Sequence, residues 1–233
     1  AYRRRSGEFL CDSPKLLEEA LLRGAALRTV VFTEQTALTE LPAEVRQVEV
    51  PSDLMRSISP METPQGVLAI CALPEQILPE MLDGRRYVVL DGVQDPGNVG
   101  TILRTADAAG FDGALLGAGC ADLYGAKTLR ATMGSVFRVP VRRVDDLAAE
   151  LEAMQARGYA VVATELGGED FYAKCPHSRC VLVIGSEGRG VRQEILENAD
   201  RELIIPMNPR CESLNAAIAA AVVMWEIRRN DNS

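Results

Sequence analysis

Five polar side chains crowd into one short loop near the end of the chain: Asn208, Arg210, Glu212, Ser213 and Asn215. They follow an apolar pair, Ile204-Ile205, and precede the long apolar run Ala216–Arg229. This reads as a buried strand, a proline-bounded loop and a helix. A capping role would account for Ser213, placed just before the helical run. It does not account for Asn215, whose side chain competes with the backbone when it lies inside a helix. Two earlier stretches, 87–104 and 181–191, end in the same way, with a β-rich run, a glycine-rich turn and a helix. Three strand ends that converge on one crevice are how an open α/β sheet makes a ligand site.

Other chemistries fit less well. Cys175-Pro-His177-Ser-Arg-Cys180 has the look of a metal cluster but lacks a second ligand pair at suitable spacing, so no metal is expected. Gly117-Ala-Gly119-Cys-Ala-Asp122 begins like a dinucleotide fingerprint, yet Asp122 stands where its third glycine belongs and would repel a pyrophosphate. Gly185-Ser-Glu187-Gly188-Arg-Gly190 has the wrong spacing for that fingerprint, and neither turn ends as a phosphate-cradling loop does. A nicotinamide oxidoreductase is therefore disfavoured.

The net charge of −8 argues against a general polyanion binder, and any nucleic-acid surface must be a local patch. Arg3, Arg4 and Arg5, the pairs Arg85/Arg86 and Arg142/Arg143, and Arg189 with Arg192 are the candidates. The expected arrangement is a basic groove where the first three meet Arg104 at the crevice. No apolar run reaches the length of a membrane span, and no signal pattern follows the opening arginines. Six scattered cysteines favour reduced thiols and a cytoplasmic setting over a disulfide frame.

The elements that must position the crevice follow from periodicity. Ser13-Pro14 opens a helix with Leu16, Leu17, Ala20 and Leu21 on its apolar face, and Gly24 ends it. Strands are expected over 29–33 and 45–50, and a helix over Ser52–Ile58. The unbroken apolar run 66–72 predicts a strand buried on both faces, and the helix–strand alternation predicts a mainly parallel sheet. Residues 73–84, with two prolines and no strong period, read as a linker, so the chain divides into 1–80 and 81–233. Beyond it come a strand over 87–91, a turn over 92–98 and a helix over 99–109 closed by Gly110. A strand at 114–116, a helix at 126–133, an extended segment at 136–141 and a helix at 145–157 follow. Strands over 159–164, 180–184 and 203–205 complete the set, with a helix over 191–198 between the last two.

Taken together, the three junctions resemble a known family. Asp95-Pro-Gly-Asn98-Val-Gly-Thr-Ile-Leu-Arg104-Thr-Ala-Asp107 is similar to the first motif of the SpoU (TrmH) RNA ribose 2′-O-methyltransferases, in the SPOUT superfamily. Val183-Ile-Gly185-Ser-Glu187-Gly-Arg-Gly190 resembles the second motif, and Ile205-Pro-Met207 with Glu212-Ser213-Leu214-Asn215 the third. Phe9-Leu-Cys-Asp-Ser-Pro-Lys and Glu62-Thr-Pro-Gln-Gly66 resemble the family's small substrate-binding domain, which differs at Cys11-Asp12-Ser13.

The resemblance implies an α/β chain with a trefoil-knotted, parallel-sheet methyltransferase domain after a small α/β substrate-binding domain. It implies S-adenosylmethionine as cofactor and RNA as partner, ribosomal RNA before transfer RNA. It also implies a homodimer through the C-terminal domain, with no membrane and no metal. The cofactor would be held by Gly185, Ile205 and Leu214, with Thr164, Glu165, Leu166 and Met207 nearby. Arg104 takes the catalytic position, and Asn98, Glu187, Ser213 and Asn215 orient it and the ribose. The only histidine, His177, lies outside all three motifs, so an imidazole base is not expected. A catalytically silent RNA-binding protein on the same fold is the competing reading. The joint presence of Arg104, Glu187, Ser213 and Asn215 speaks against it.

Overall fold

The computed structural model describes residues 2–38, 40–74, 83–174 and 179–229. The chain begins with α1 (Tyr2–Ser6), β1 (Glu8–Cys11), α2 (Pro14–Leu22), β2 (Leu27–Phe32), β3 (Arg46–Glu49), α3 (Ser52–Ile58) and β4 (Val67–Ala72). Ser13 caps α2 by accepting the Leu16 N–H at 3.2 Å, with Pro14 in the first turn, as the sequence indicates. The four strands lie in the order β1-β4-β2-β3. Here the expectation of a mainly parallel sheet fails. β4 runs antiparallel to both neighbours, and only β2 and β3 are parallel. The apolar run of β4 marks its central place between two strands, and position rather than direction is what buries both faces. Neither α1 nor β1 was legible in advance. The linker and its boundary near residue 80 lie outside the described residues.

The second sheet is wholly parallel. It is built from β5 (Arg86–Asp91), β6 (Gly113–Leu116), β7 (Val141–Arg143), β8 (Ala160–Asp170), β9 (Cys180–Gly185) and β10 (Arg201–Ile204), ordered β10-β8-β9-β5-β6-β7. Its helices are α4 (Pro96–Ala109), α5 (Ala126–Thr132), α6 (Leu147–Ala156), α7 (Phe171–Lys174), α8 (Gln193–Leu196) and α9 (Ala216–Arg229). Alternate strand residues face opposite layers. Val88, Leu90, Leu182 and Ile184 pack with α4, α5 and α9, whereas Tyr87, Val89, Val181 and Val183 pack with α6 and α8. Both faces of β5 and β9 are therefore dry, which explains their continuous apolar sequences.

Three local expectations need correction. α4 starts at Pro96 and not at Val99, because Asp95 caps it by accepting the Asn98 N–H at 2.9 Å. Asn98 thus lies in the first helical turn rather than in a loop. Residues 136–141 are not one extended segment. The left-handed pair Met133 (φ 49°) and Gly134 (φ 91°) turns the chain into a short 3-10 stretch, Ser135–Phe137, before β7. Ser213 does not cap α9. That role falls to Asn215, whose Oδ1 accepts the N–H groups of Ala217 (2.9 Å) and Ile218 (3.2 Å).

The two sheets share one hydrophobic core. Phe9 on β1 packs at a tilt against Tyr124 and Phe137, with ring centroids 4.7 and 6.2 Å apart. Ion pairs close the rim: Arg3 with Asp122 at 2.6 Å, Arg130 with the buried Asp12 at 2.6 Å, and Arg138 with Glu19. A cut after residue 80 would bare those rings and take Asp12 from Arg130 and Glu19 from Arg138. It would therefore disturb far more than RNA contact.

These pairs predict acid lability. Lys15 first, then Arg138, hold Glu19 below the ordinary glutamate value of 4.5 in spite of desolvation. Lys127 holds Asp95 below 3.8. Burial opposes ionisation of Asp122, but Arg3 and the Tyr124 N–H outweigh it. Folded values below unfolded ones mean stability that is complete above the unfolded pKa and lost as pH falls through the folded one. The thermal midpoint should be level from about pH 7 to about pH 5 and fall steadily toward about pH 3. A midpoint unchanged at about pH 3 would show that these pairs contribute nothing.

Candidate active site

The carboxyl ends of β5, β9 and β10 release the three polar junctions on the same edge of the parallel sheet. Helix α4 sets the first. Ile102, Leu103 and Ala106 are fully buried, and truncating Leu103 to Ala would cost roughly 2–5 kcal/mol. That burial leaves Asn98, Thr101, Arg104 and Thr105 off the core face.

The three motifs then meet through side-chain amides. Asn98 donates its Nδ2 to Glu187 Oε1 at 2.8 Å, and Asn215 donates its Nδ2 to Asn98 Oδ1 at 3.0 Å. The Gln94 N–H lies 3.4 Å from Glu187 Oε2. Each amide is used at both ends, so the orientations are mutually determined: Asn215 spends its oxygen on the α9 terminus and its nitrogen on Asn98. Burial pushes the Glu187 carboxyl up, but Asn98 and the neighbouring backbone N–H groups more than offset this and hold it below the usual range. Glu187 is therefore an ionised acceptor at neutral pH and a poor base.

Arg104 stands apart from this network. It is exposed, and among the described residues it has no hydrogen-bonding or ionic partner. It lines a groove of about 520 Å³ between α4 and α9, together with Thr101, Thr105, Ala108, Ala221, Val222 and Trp225. The Ser213 hydroxyl also meets no partner among the described residues, and only its carbonyl is used, accepting the Cys211 thiol at 3.3 Å. The structure thus brings Asn98, Glu187 and Asn215 into contact and does not bring Arg104 or Ser213 to them.

The residues expected around the cofactor lie within β8 (Thr164, Glu165 and Leu166), at the end of β9 (Gly185) and in the segment between β10 and α9 (Ile205, Met207 and Leu214). Thr164 Oγ1 donates to Val183 O at 3.2 Å, Glu165 lies beside Gly190, and Leu166 is exposed. Ile205 packs against the main core, and Met207 and Leu214 are half-buried. The N–H groups of Ile205, Met207 and Leu214 meet no acceptor among the described residues. Such free amides in the segment after β10 suit the uncharged polar edges of a nucleoside, so the donor set fits S-adenosylmethionine. Gly185 serves the chain itself: a Cβ there would lie 2.0 Å from the Gly190 carbonyl carbon.

The expected basic groove changes in composition. Arg3 is paired with Asp122, and Arg192 with Asp91 and Glu194. Near the crevice, the side chains of Arg104, Arg189 and Arg210 are exposed and form no ion pair among the described residues. The Gln94 amide and the Lys127–Asp95 pair at 3.0 Å were missed, although Asp95-Pro96 is a readable helix start. Cys175 and His177 lie outside the described residues, and Cys180 is buried on β9.

A doubly covered parallel sheet with an amide-lined cleft at its carboxyl edge and an unpaired arginine on the adjoining helix suits an enzyme that binds a nucleoside cofactor and an anionic substrate. Comparison makes this specific. Residues 85–225 match the SpoU rRNA Methylase family, and residues 1–69 match the MRM3-like substrate binding domain. The chain belongs to the SpoU family and is an S-adenosylmethionine-dependent RNA 2′-O-ribose methyltransferase. It is 36% identical to Bacillus subtilis RlmP, a 23S rRNA (guanosine(2553)-2′-O)-methyltransferase, over 97% of this chain and 90% of that protein. The AdoMet-bound structure of the SpoU methyltransferase AviRb from Streptomyces viridochromogenes superposes with TM-score 0.88 at 28% identity, covering 99% and 93% of the two chains. The AdoMet-bound rRNA methyltransferase of Sinorhizobium meliloti gives TM-score 0.87 at 35% identity, covering 98% and 89%. No helix among the described residues is long and apolar enough to cross a membrane.

Proposed function

We propose that this enzyme methylates the ribose of a guanosine in 23S ribosomal RNA, in the cytoplasm where that RNA matures. The reading of the site rests on the Asn98–Glu187–Asn215 chain, which ties the three motifs together, with an unpaired Arg104 farther along the helix that carries Asn98. The choice of RNA rests on the likeness to RlmP across nearly the whole chain. The bound cofactor supplies an electrophilic methyl on a sulfonium, and the protein's task is alignment. Arg104 grips the phosphate next to the target ribose with its planar fork and lowers the pKa of the hydroxyl electrostatically. Asn98 and Asn215 hold that hydroxyl in line, and Ser213 contributes once RNA is present. Glu187 locks Asn98 in place. Gly185, Ile205, Met207 and Leu214, with Thr164, Glu165 and Leu166 at the rim, form the cofactor cleft. An RNA binder without catalysis would not need the amide chain.

We assign residues 1–80 to RNA selection and 81–233 to a knotted catalytic domain. The deciding experiment is ribose-methylation mapping of ribosomal RNA from cells lacking the gene. Loss of one 23S guanosine methylation, restored by the purified enzyme on RNA from those cells, is expected. An unchanged map would overturn the assignment.

We also propose a homodimer through the exposed apolar face of α9, with Arg104 at the α4 side of the groove left open to RNA. Trp225 and Ile218 are 54% and 53% exposed, flanking a groove lined by Ala221 and Val222, and a second copy would cover them. Light scattering should give twice the monomer mass, and Val222→Glu should give monomers with little activity. A stable monomer at micromolar concentration would refute the dimer.

A further inference from the structure

Arg138 has no part in the site described above, yet its guanidinium joins three separate elements. Nε donates to Asp107 Oδ2 on α4 at 2.7 Å, and Nη2 to Ser135 Oγ in the 3-10 turn at 3.1 Å. Nη1 bonds to Glu19 Oε2 on α2. Ser135, wholly buried, adds a second bond to Asp107 at 2.8 Å, and Lys15 takes the other Glu19 oxygen at 3.0 Å. Two carboxylates and two cations therefore balance in a partly buried cluster, with Lys15 at its exposed edge. The chain backbone is fitted to it: Gly134 has φ 91°, and a Cβ there would lie 2.5 Å from Glu19 Cγ.

Adhesion between the two sheets does not require this cluster, because the Phe9, Tyr124 and Phe137 rings and their apolar neighbours already supply it. What the apolar contact lacks is direction. A planar fork with three bonds to three elements fixes their mutual angle. Asp107 lies one turn beyond Arg104 on the same helix, so a rotation of α4 at Asp107 is a rotation of Arg104 and Asn98.

We propose that Arg138 is a positioning residue. It locks α4, and with it Arg104, at a set angle to the RNA-docking sheet, so that RNA held by residues 1–72 presents its ribose in line with the cleft. This rests on the reading of Arg104 as the phosphate-gripping group. Small misplacement of reacting groups is costly, so Arg138→Met should lower kcat by roughly tenfold to a hundredfold. Direct binding of RNA and of S-adenosylmethionine should stay within about threefold of wild type, because neither binding surface is touched. Arg138→Lys, which keeps the charge and loses the fork, should recover only a small part of kcat. Glu19→Gln and Asp107→Asn should each lower kcat, and the double variant should lose little more than the worse single one, as expected of two ends of one relay.

The assay is multiple-turnover methylation of 23S RNA at saturating RNA and cofactor, with RNA and cofactor Kd measured separately on each variant. Unchanged kcat in Arg138→Met would overturn the proposal, as would loss of both affinities in step with kcat, which marks a merely structural role. Should Arg138→Met fail to fold, the Glu19→Gln and Asp107→Asn cycle decides alone, and strictly multiplicative losses would overturn it. Absence of methyl transfer by the wild-type enzyme would instead contradict the proposed substrate.

Discussion

Arg104→Ala should lower methyl transfer by about a thousandfold, while the Kd for S-adenosylmethionine stays within about threefold of wild type. The two quantities separate because Arg104 lies on the α4–α9 groove, whereas the free amides of the cleft come from the segment after β10. Folding should not confuse the result. The arginine is exposed and makes no ion pair or hydrogen bond among the described residues, so its removal strands no charge and should change stability by less than about 0.5 kcal/mol. Arg104→Lys should fail nearly as badly, since a point charge cannot replace a fork that holds phosphate in two places. Turnover by the lysine variant near that of wild type would dismiss the proposed role. Equal loss of cofactor affinity in the alanine variant would move Arg104 into the cofactor cleft instead.

Gly185→Ala should disrupt the site and destabilise the domain for a purely steric reason. The new Cβ would sit 2.0 Å from the carbonyl carbon of Gly190 and 2.1 Å from the Val191 nitrogen. Both are backbone atoms, so no rotamer change relieves the contact, and either β9 or the 190–191 segment must move. The paired bonds between Ser186 and Gly190, at 3.0 and 2.9 Å, would break, releasing the loop that carries Glu187 to Asn98. A loss of about 3 kcal/mol or more is expected, together with nearly all activity. Gly188→Ala is the matched control: nothing lies within 4 Å of its added Cβ, so its stability should stay within about 0.5 kcal/mol of wild type. Urea unfolding of the two variants side by side measures the difference. Equal midpoints would mean that the β9 end does not approach the 190–191 backbone as described.

Much of this architecture could be read directly, wherever local chemistry decides. Pro14 and Gly24 bound α2, Gly110 closes α4 at φ 74°, and the apolar runs of β5 and β9 declare strands covered on both sides. The resemblance of the three motifs picked out Asn98, Glu187 and Asn215 before any geometry was known. Sequence could not say what those residues do to one another. Asn215 reads as a misplaced helical asparagine, and only the fold turns it into a cap whose free amide reaches Asn98, 117 positions earlier. The direction of β4 was misread for the same reason, because an apolar run reports burial and carries no information about which neighbour it will meet. Likewise, Glu19, Asp107 and Arg138 look like three solvated charges in a string of letters. Propensity, capping and periodicity act over a few residues and are written locally. Pairing across roughly a hundred positions depends on which surfaces the hydrophobic core brings face to face, and only the folded chain decides that.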